Sequence, residues 1–113
     1  MNKTYTEIYK LNPNITSLLL KKYGFLGGRY YRKNVYKNLI QLEIEIDLTE
    51  KYFTYTVYDL PNNQVYFPYY DDYFGGKNKV LKEVRKAIKR VFIDLENKNI
   101  LIKEKSIKNE NCR

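Results

Sequence analysis

Residues 40–48 read Ile-Gln-Leu-Glu-Ile-Glu-Ile-Asp-Leu, and this stretch decides the fold. Apolar and polar side chains alternate strictly along it, and successive side chains of a β-strand point to opposite faces of a sheet. The stretch therefore predicts a strand with one buried apolar face and one wet acidic face. Such a strand is typical of an antiparallel sheet that is covered on one side only.

Strand-like segments flank this central strand on both sides. Residues 29–36 precede it, and residues 52–59 and 65–70 follow it, with turn residues between them. Together they predict an antiparallel meander of three to four strands. Pro68 has no N–H to donate to a neighbouring strand, so the last strand should lie at an edge of the sheet.

A long amphipathic helix is predicted after the meander. Asn78 is a suitable N-cap, and Asn97 to Asn99 supply a stop. The apolar residues between them recur at helical spacing on one broad face: Val80, Leu81, Val84, Ala87, Ile88, Val91, Phe92 and Leu95. We expect this face to cover the apolar side of residues 40–48.

The N-terminal part predicts a short strand over residues 4–11 and a short helix over about 12–23. Asn12 is the predicted N-cap and Pro13 the first helical residue, while Gly24 ends the helix. Residues 100–102 are expected to pair with the N-terminal strand. The whole predicts an α+β fold, with one domain over residues 1–105 and a polar tail over 106–113.

Composition excludes several function classes. The 113 residues contain no histidine and one cysteine, Cys112, which rules out histidine-based triads, an intrachain disulfide and a cysteine-based zinc site. No phosphate-binding or dinucleotide-binding glycine motif is present, so no cofactor is predicted. No apolar run reaches the roughly 20 residues of a membrane span, and we expect a cytoplasmic protein that does not bind membranes.

Glu43, Glu45 and Asp47 are the candidate catalytic carboxylates. They project from one face of the predicted strand, roughly 7 Å apart along it, and a residue from another strand would be needed to complete a magnesium site. The solvated face of an amphipathic strand explains them better. We therefore assign no catalytic or metal-binding residue, and keep a metal-dependent nuclease as a remote alternative.

The net charge of +8 is unevenly distributed, and codons of an AT-rich genome do not explain that segregation. Residues 21–37 hold six basic residues and no acidic one, whereas residues 38–76 are net acidic. In this segment basic residues alternate with aromatic ones that include Tyr30 and Tyr31, a pattern that suits binding to nucleic-acid backbones and bases. The candidate binding cations of the segment are Lys21, Lys22, Arg29, Arg32 and Lys33. On the predicted long helix, one polar face carries Lys79, Lys82, Lys86, Lys89 and Arg90 together with Ile93.

Two resemblances accompany these patterns. The order helix, three strands, helix, with Gly75-Gly76-Lys77-Asn78-Lys79 opening the last helix, resembles the double-stranded-RNA-binding domain, which implies lysines reaching phosphates across a groove. The abundance of Tyr, Asn and Lys, and the stretch from Asp59 to Tyr66, resemble small phage and mobile-element proteins of AT-rich bacteria, including anti-CRISPR proteins. That resemblance implies an accessory factor that blocks a host nucleoprotein.

Three functions remain open at this point. The first is a non-enzymatic protein that binds nucleic acid or a nucleoprotein through the basic helix face and residues 21–37. The second is a protein–protein inhibitor or adaptor that binds an acidic protein surface, with Ile93 as an anchor. The third is the nuclease. The first requires positive and negative side chains to occupy opposite sides of the molecule.

Overall fold

The computed structural model describes residues 4–71 and 78–104. Six strands and four helices follow one another along the described chain, namely α1 (Tyr5–Ile8), β1 (Tyr9–Leu11), α2 (Ser17–Lys22), β2 (Tyr30–Tyr36), β3 (Ile40–Asp47), β4 (Tyr52–Asp59), β5 (Gln64–Val65), α3 (Phe67–Tyr70), α4 (Lys79–Asn97) and β6 (Leu101–Lys103). None of these helices combines the length and apolar character that a membrane-spanning segment needs.

Strands β2 to β5 form a four-stranded antiparallel sheet in sequential order. Along β3 the register opposes Ile40 to Asp59 and Asp47 to Tyr52. Every apolar residue of β3 is buried and every polar one is partly exposed. The predicted meander and its alternation are confirmed.

Helix α4 packs on the buried face of this sheet, which confirms the α+β fold class. The Asn78 side chain accepts a hydrogen bond from the Leu81 N–H at 3.0 Å, as a helix N-cap does. The helix ends at Asn97, and Asn99 adopts a left-handed φ of 61°. Six side chains of α4 are buried: Leu81, Val84, Ile88, Val91, Phe92 and Leu95.

A second, two-stranded sheet joins the two ends of the described chain. Strand β1 pairs antiparallel with β6, so that Leu11 lies opposite Leu101 and both are buried. The expected pairing of residues 100–102 with the N-terminal strand is therefore confirmed. Residues 5–8 were expected to extend that strand, but they form the helical turn α1, whose start is held by a capping box between Thr4 and Glu7.

An aromatic cluster fastens α4 to these N-terminal elements. Phe92 is fully buried, and its ring stacks on Tyr5 with centroids 4.2 Å apart. Tyr55 and Phe53 of β4 approach the same ring at 5.2 and 6.0 Å. Tyr9 also contacts Phe92 and donates its hydroxyl hydrogen to Glu96 at 2.8 Å. Most of the molecule's rings near α4 are therefore core residues.

The N-terminal helix is shorter than the predicted span 12–23. Helix α2 begins at Ser17, because Thr16 rather than Asn12 is its N-cap and accepts from the Leu19 N–H. Asn12 instead donates its backbone N–H to the Ile100 carbonyl and its side-chain amide to the Asn99 carbonyl. A tertiary contact with the turn before β6 therefore occupies the residue that was expected to cap the helix.

The turn after α2 is pinned by close backbone packing. Gly28 has a φ of +72°, and a Cβ at this position would lie 2.5 Å from the Ser17 hydroxyl oxygen. Neighbouring Gly27 also has a positive φ, of +63°, but faces open space. Only glycine therefore fits position 28 for both backbone and packing reasons.

The predicted strand over residues 65–70 is wrong beyond Val65. Strand β5 is two residues long and lies at the sheet edge as expected, but Pro68 falls in the first turn of α3, where its missing N–H is tolerated. Helix α3 also protects β4, since the Tyr70 hydroxyl accepts a hydrogen bond from the Val57 N–H at 2.9 Å. The predicted tail over residues 106–113 and the Gly75-Gly76 break lie outside the described residues.

Candidate nucleic-acid interface

The outer face of α4 carries the densest group of cations in the described chain. All five predicted cations on this helix, and the neighbouring Ile93, are solvent-exposed: Lys79, Lys82, Lys86, Lys89 and Arg90. We call these five the α4 cations. Their positions follow from the helix itself, because the buried residues at Leu81, Val84 and Ile88 turn the intervening basic residues outward.

No carboxylate among residues 4–71 and 78–104 forms an ion pair with any of the α4 cations. Asp94 of α4 pairs with Lys98, the residue that follows the helix, at 2.8 Å and beyond the last of these cations. Lys82, Lys86 and Arg90 follow one another at a spacing of four residues, where like charges repel. The outer face of α4 is therefore net positive, with the exposed carboxylates of Glu83 and Asp94 at its margin.

The end of α2 lies beside the C-terminal end of α4. Lys21 and Lys22 are both exposed in the last turn of α2. The Lys22 ammonium lies 5.9 Å from the centroid of the Tyr23 ring, and the Lys98 ammonium lies 5.0 Å from it. Tyr23 therefore joins the end of α2 to the end of α4, a contact that the sequence did not predict.

The arginines of the 21–37 segment have their own partners. Arg29 lies 2.6 Å from a Glu45 carboxylate oxygen, and Arg32 lies 2.7 Å from Glu43. The hydrogen bond to Glu45 is also the main reason that the Arg29 pKa is raised. The expectation that positive and negative residues lie on opposite sides is therefore wrong for the open face of the sheet. Strand register explains this, because Arg32 of β2 lies directly opposite Glu43 of β3.

The other predicted residues of β2 are split between the two faces of the sheet. Tyr30 lies on the open face, with the Arg29 and Arg32 guanidinium carbons 5.3 and 5.4 Å from its ring centroid. Tyr31 lies on the opposite face, where its ring packs on Phe25 at 5.1 Å. Lys33 is exposed on the edge strand. Residues 21–37 therefore do not form one continuous binding surface.

The three acidic residues of β3 interact within the chain. Glu43 and Glu45 pair with arginines, and Asp47 accepts hydrogen bonds from the Thr49 and Glu50 N–H groups at 3.0 and 2.9 Å. In the ranges 4–71 and 78–104, no three His, Cys, Asp or Glu side chains are grouped so that they could hold a metal ion. The arrangement therefore gives the nuclease hypothesis no support.

A partly buried pair of phenols lies between β4 and α3. The Tyr55 and Tyr69 hydroxyls are 3.1 Å apart, and burial raises the pKa of Tyr69 well above its ordinary value. Tyr5 donates its backbone N–H to the Tyr55 hydroxyl. The hydrogen bonds of these phenols tie α1, α3 and β4 together, which makes their role structural.

Comparison with known proteins supports the class of the fold and finds a structural neighbour. The fold is an α+β arrangement of an antiparallel sheet and a long C-terminal helix. It matches the crystal structure of a DUF1831 family protein, a domain of unknown function, from Lactobacillus plantarum. The match has a TM-score of 0.62 at 18% identity and covers 85% of this chain and 86% of that chain. No protein-family model and no curated protein matches the sequence.

This match corrects both resemblances drawn from the sequence. The structural neighbour is a bacterial domain, and it belongs neither to the double-stranded-RNA-binding domains nor to phage anti-CRISPR proteins. The order of elements also departs from helix, three strands, helix, because the β1–β6 sheet, β5 and α3 are added and the first predicted helix spans only Ser17–Lys22. At 18% identity the neighbour shows the fold alone.

Proposed function

We propose that this protein is a non-enzymatic binding protein that engages nucleic acid through the outer face of α4. The observation that carries the proposal is the set of five exposed α4 cations, which form no ion pair with any described carboxylate. Cations of this kind release condensed counterions from a phosphate backbone when they bind to it, which drives association.

The repulsion within the basic face also favours an anionic partner. Pairs of like charge four residues apart destabilise a helix by about 0.2–0.5 kcal/mol each, and Lys82, Lys86 and Arg90 form two such pairs. A polyanion placed along this row would replace the repulsion with attraction. Lys21 and Lys22 are exposed and form no ion pair with a described carboxylate, whereas Arg29 and Arg32 are already paired with glutamates.

The proposal assigns no catalytic step to the protein. The carboxylates that a metal-dependent reaction would need are paired with arginines or cap the turn after β3. Binding nucleic acid requires a location where it is accessible, such as the cytoplasm.

Charge reversal on α4 tests the proposal directly. The variant Lys82→Glu/Lys86→Glu/Lys89→Glu should lose most of its affinity for nucleic acid at about 50 mM salt, whereas Tyr58→Ala on the open sheet face should bind like the wild type. Both are measured by fluorescence anisotropy with a labelled DNA or RNA, after unfolding curves show that each variant is folded. The opposite ranking of the two variants, or no binding of the wild type to any DNA or RNA, would overturn the proposal.

An acidic protein surface is the second candidate partner. Ile93 is 42% exposed among the α4 cations, and a partly exposed isoleucine can anchor a protein interface while the charges steer association. In that case Ile93→Asp would abolish binding to the partner protein, and nucleic acid would not compete for the same surface.

A further inference from the structure

We propose that α4 binds double-helical DNA by lying along its major groove, with two lines of cations on the phosphates of the two strands. This inference rests on the proposed function and specifies the form of nucleic acid that the α4 face selects. It follows from how the cations are arranged around the helix, from the position of Ile93 between them, and from where the aromatic rings lie.

Four of the five α4 cations lie in two lines, and the fifth, Lys86, lies between them together with Ile93. Residues seven or eleven apart in a helix differ in direction by only about 20°, at about 100° per residue. Lys82 and Lys89 therefore lie along one flank of the outer face, and Lys79 and Arg90 lie along the other. The two flanks are separated by roughly 60–100° around the helix. Lys86 and Ile93 occupy the middle line between them.

Two lines of cations match two lines of phosphates. A single strand offers one backbone, so only one flank would contact it, whereas both rims of a groove are phosphate-lined. An α-helix with its side chains is about 10–12 Å wide, which corresponds to the B-DNA major groove of about 12 Å. The major groove of A-form RNA is deep and narrow and does not admit a helix in this way. The geometry therefore favours DNA duplexes over RNA duplexes.

The groove arrangement gives the exposed Ile93 side chain a binding partner, whereas a purely electrostatic surface does not. On the middle line it would face the floor of the groove, where the base edges lie. The thymine methyl group is the apolar feature of that floor. An exposed isoleucine between two lines of cations is therefore suited to contact with thymine, and the flanking cations hold the helix against the backbone.

The distribution of aromatic rings argues against a single-stranded ligand. Proteins that bind single strands stack bases on exposed aromatic side chains. Among the described residues of α4, Phe92 is the single aromatic residue, and it is buried. Tyr30, on the open sheet face, already lies beside two arginines. The face that offers the free cations thus lacks rings for stacking.

The first experiment compares three ligands of one sequence at about 50 mM salt by fluorescence anisotropy: a DNA duplex of about 16 base pairs, its single strand and the RNA duplex. Lys79 to Arg90 would span ~5 base pairs, so each ligand is about three times as long as the proposed contact. We expect the DNA duplex to bind at least about tenfold more tightly than either alternative, a difference of 1.4 kcal/mol. Equal or tighter binding of the single strand or of the RNA duplex would overturn the groove inference and leave the proposed function standing. Binding of none of the three would overturn the proposed function itself.

The second experiment separates the two flanks. We expect two double variants, Lys82→Gln/Lys89→Gln and Lys79→Gln/Arg90→Gln, to bind the duplex with a shallower salt dependence than the wild type. In each, the magnitude of the slope of log affinity against log salt should decrease by about 1.8, because two phosphate contacts are removed. The matched control Lys10→Gln/Lys103→Gln removes the same charge from exposed positions on the β1–β6 sheet. A flank whose removal leaves the slope at the control value does not contact phosphate, and the two-line arrangement is then wrong.

The third experiment tests Ile93. Replacing thymine with deoxyuracil in the duplex removes only the methyl groups. The wild type should bind the thymine duplex several-fold more tightly than the deoxyuracil duplex, and Ile93→Ala should bind both equally. An equal preference for thymine in the wild type and in Ile93→Ala would show that Ile93 does not face the groove floor.

Discussion

Removing three of the α4 cations should change the salt dependence of DNA binding by a predictable amount. The perturbation is Lys82→Gln/Lys86→Gln/Lys89→Gln, which neutralises three exposed residues that form no ion pair with described carboxylates. At about 0.9 per phosphate contact, the four α4 cations of the two flanks give the wild type a slope of about −3.6 in log affinity against log salt, because Lys86 lies on the middle line. Its affinity should therefore fall about 150-fold between 50 and 200 mM salt.

The triple variant keeps two of the five cations, so its slope should be about −1.8 and its loss over the same range about twelvefold. The assay is a series of anisotropy titrations on one duplex at four or more salt concentrations. The control Lys10→Gln/Lys51→Gln/Lys103→Gln removes the same charge from exposed sites outside α4 and should keep the wild-type slope. Relief of repulsion along the helix should leave the triple variant as stable as the wild type, or slightly more so.

Two results would refute this reasoning. A wild-type slope shallower than about −2 would mean that fewer than three of the α4 cations contact phosphate. Equal slopes for the triple variant and the control would mean that net charge, rather than the position of the cations, governs binding.

Three further predictions concern the fold. Phe92→Ala should lower the free energy of unfolding by about 3–5 kcal/mol in denaturant titrations, because a fully buried ring is removed; a loss below 1 kcal/mol would contradict the packing. Gly28→Ala should destabilise the protein more than Gly27→Ala does. Both substitutions carry the same backbone strain of about 1–2 kcal/mol, but the new methyl group has open space only at position 27. Equal thermal shifts of the two variants would contradict this prediction. Burial and the hydrogen bond to Glu96 raise the pKa of Tyr9 to about 12 from 10.0. Since the folded protein holds this proton more tightly, stability should fall as the pH rises from 10 through 12, and Tyr9→Phe should make that fall shallower in pH-dependent unfolding curves.

The elements with strong periodicity were predictable from the sequence. Strand β3 and helix α4 each carry an apolar pattern of one period over their whole length, and their boundaries agree with the prediction to within about one residue. The cap of α4 was also predictable, because Asn78 precedes the first apolar residue of the pattern. These signals are local, since they depend on residues within one element.

The start of α2 could not be predicted in the same way. Asn12 and Thr16 are both good N-caps, and the local sequence does not choose between them. The choice follows from the turn before β6, where Asn99 and Ile100 offer carbonyl groups to Asn12. Residues about 87 positions away in the chain therefore decide where this helix begins.

The candidate site was likewise predictable from the sequence only in part. By itself the sequence determined that α4 has a cationic face with an isoleucine in it, because helical periodicity assigns each residue a direction. Only the tertiary structure decided which cations stay free: hairpin register sets Arg32 opposite Glu43 and brings Arg29 to Glu45, while no described carboxylate pairs with the α4 cations. The physical reason is that a side chain's direction depends on its neighbours in the chain, whereas its ion-pair partner depends on which strand or helix lies beside it.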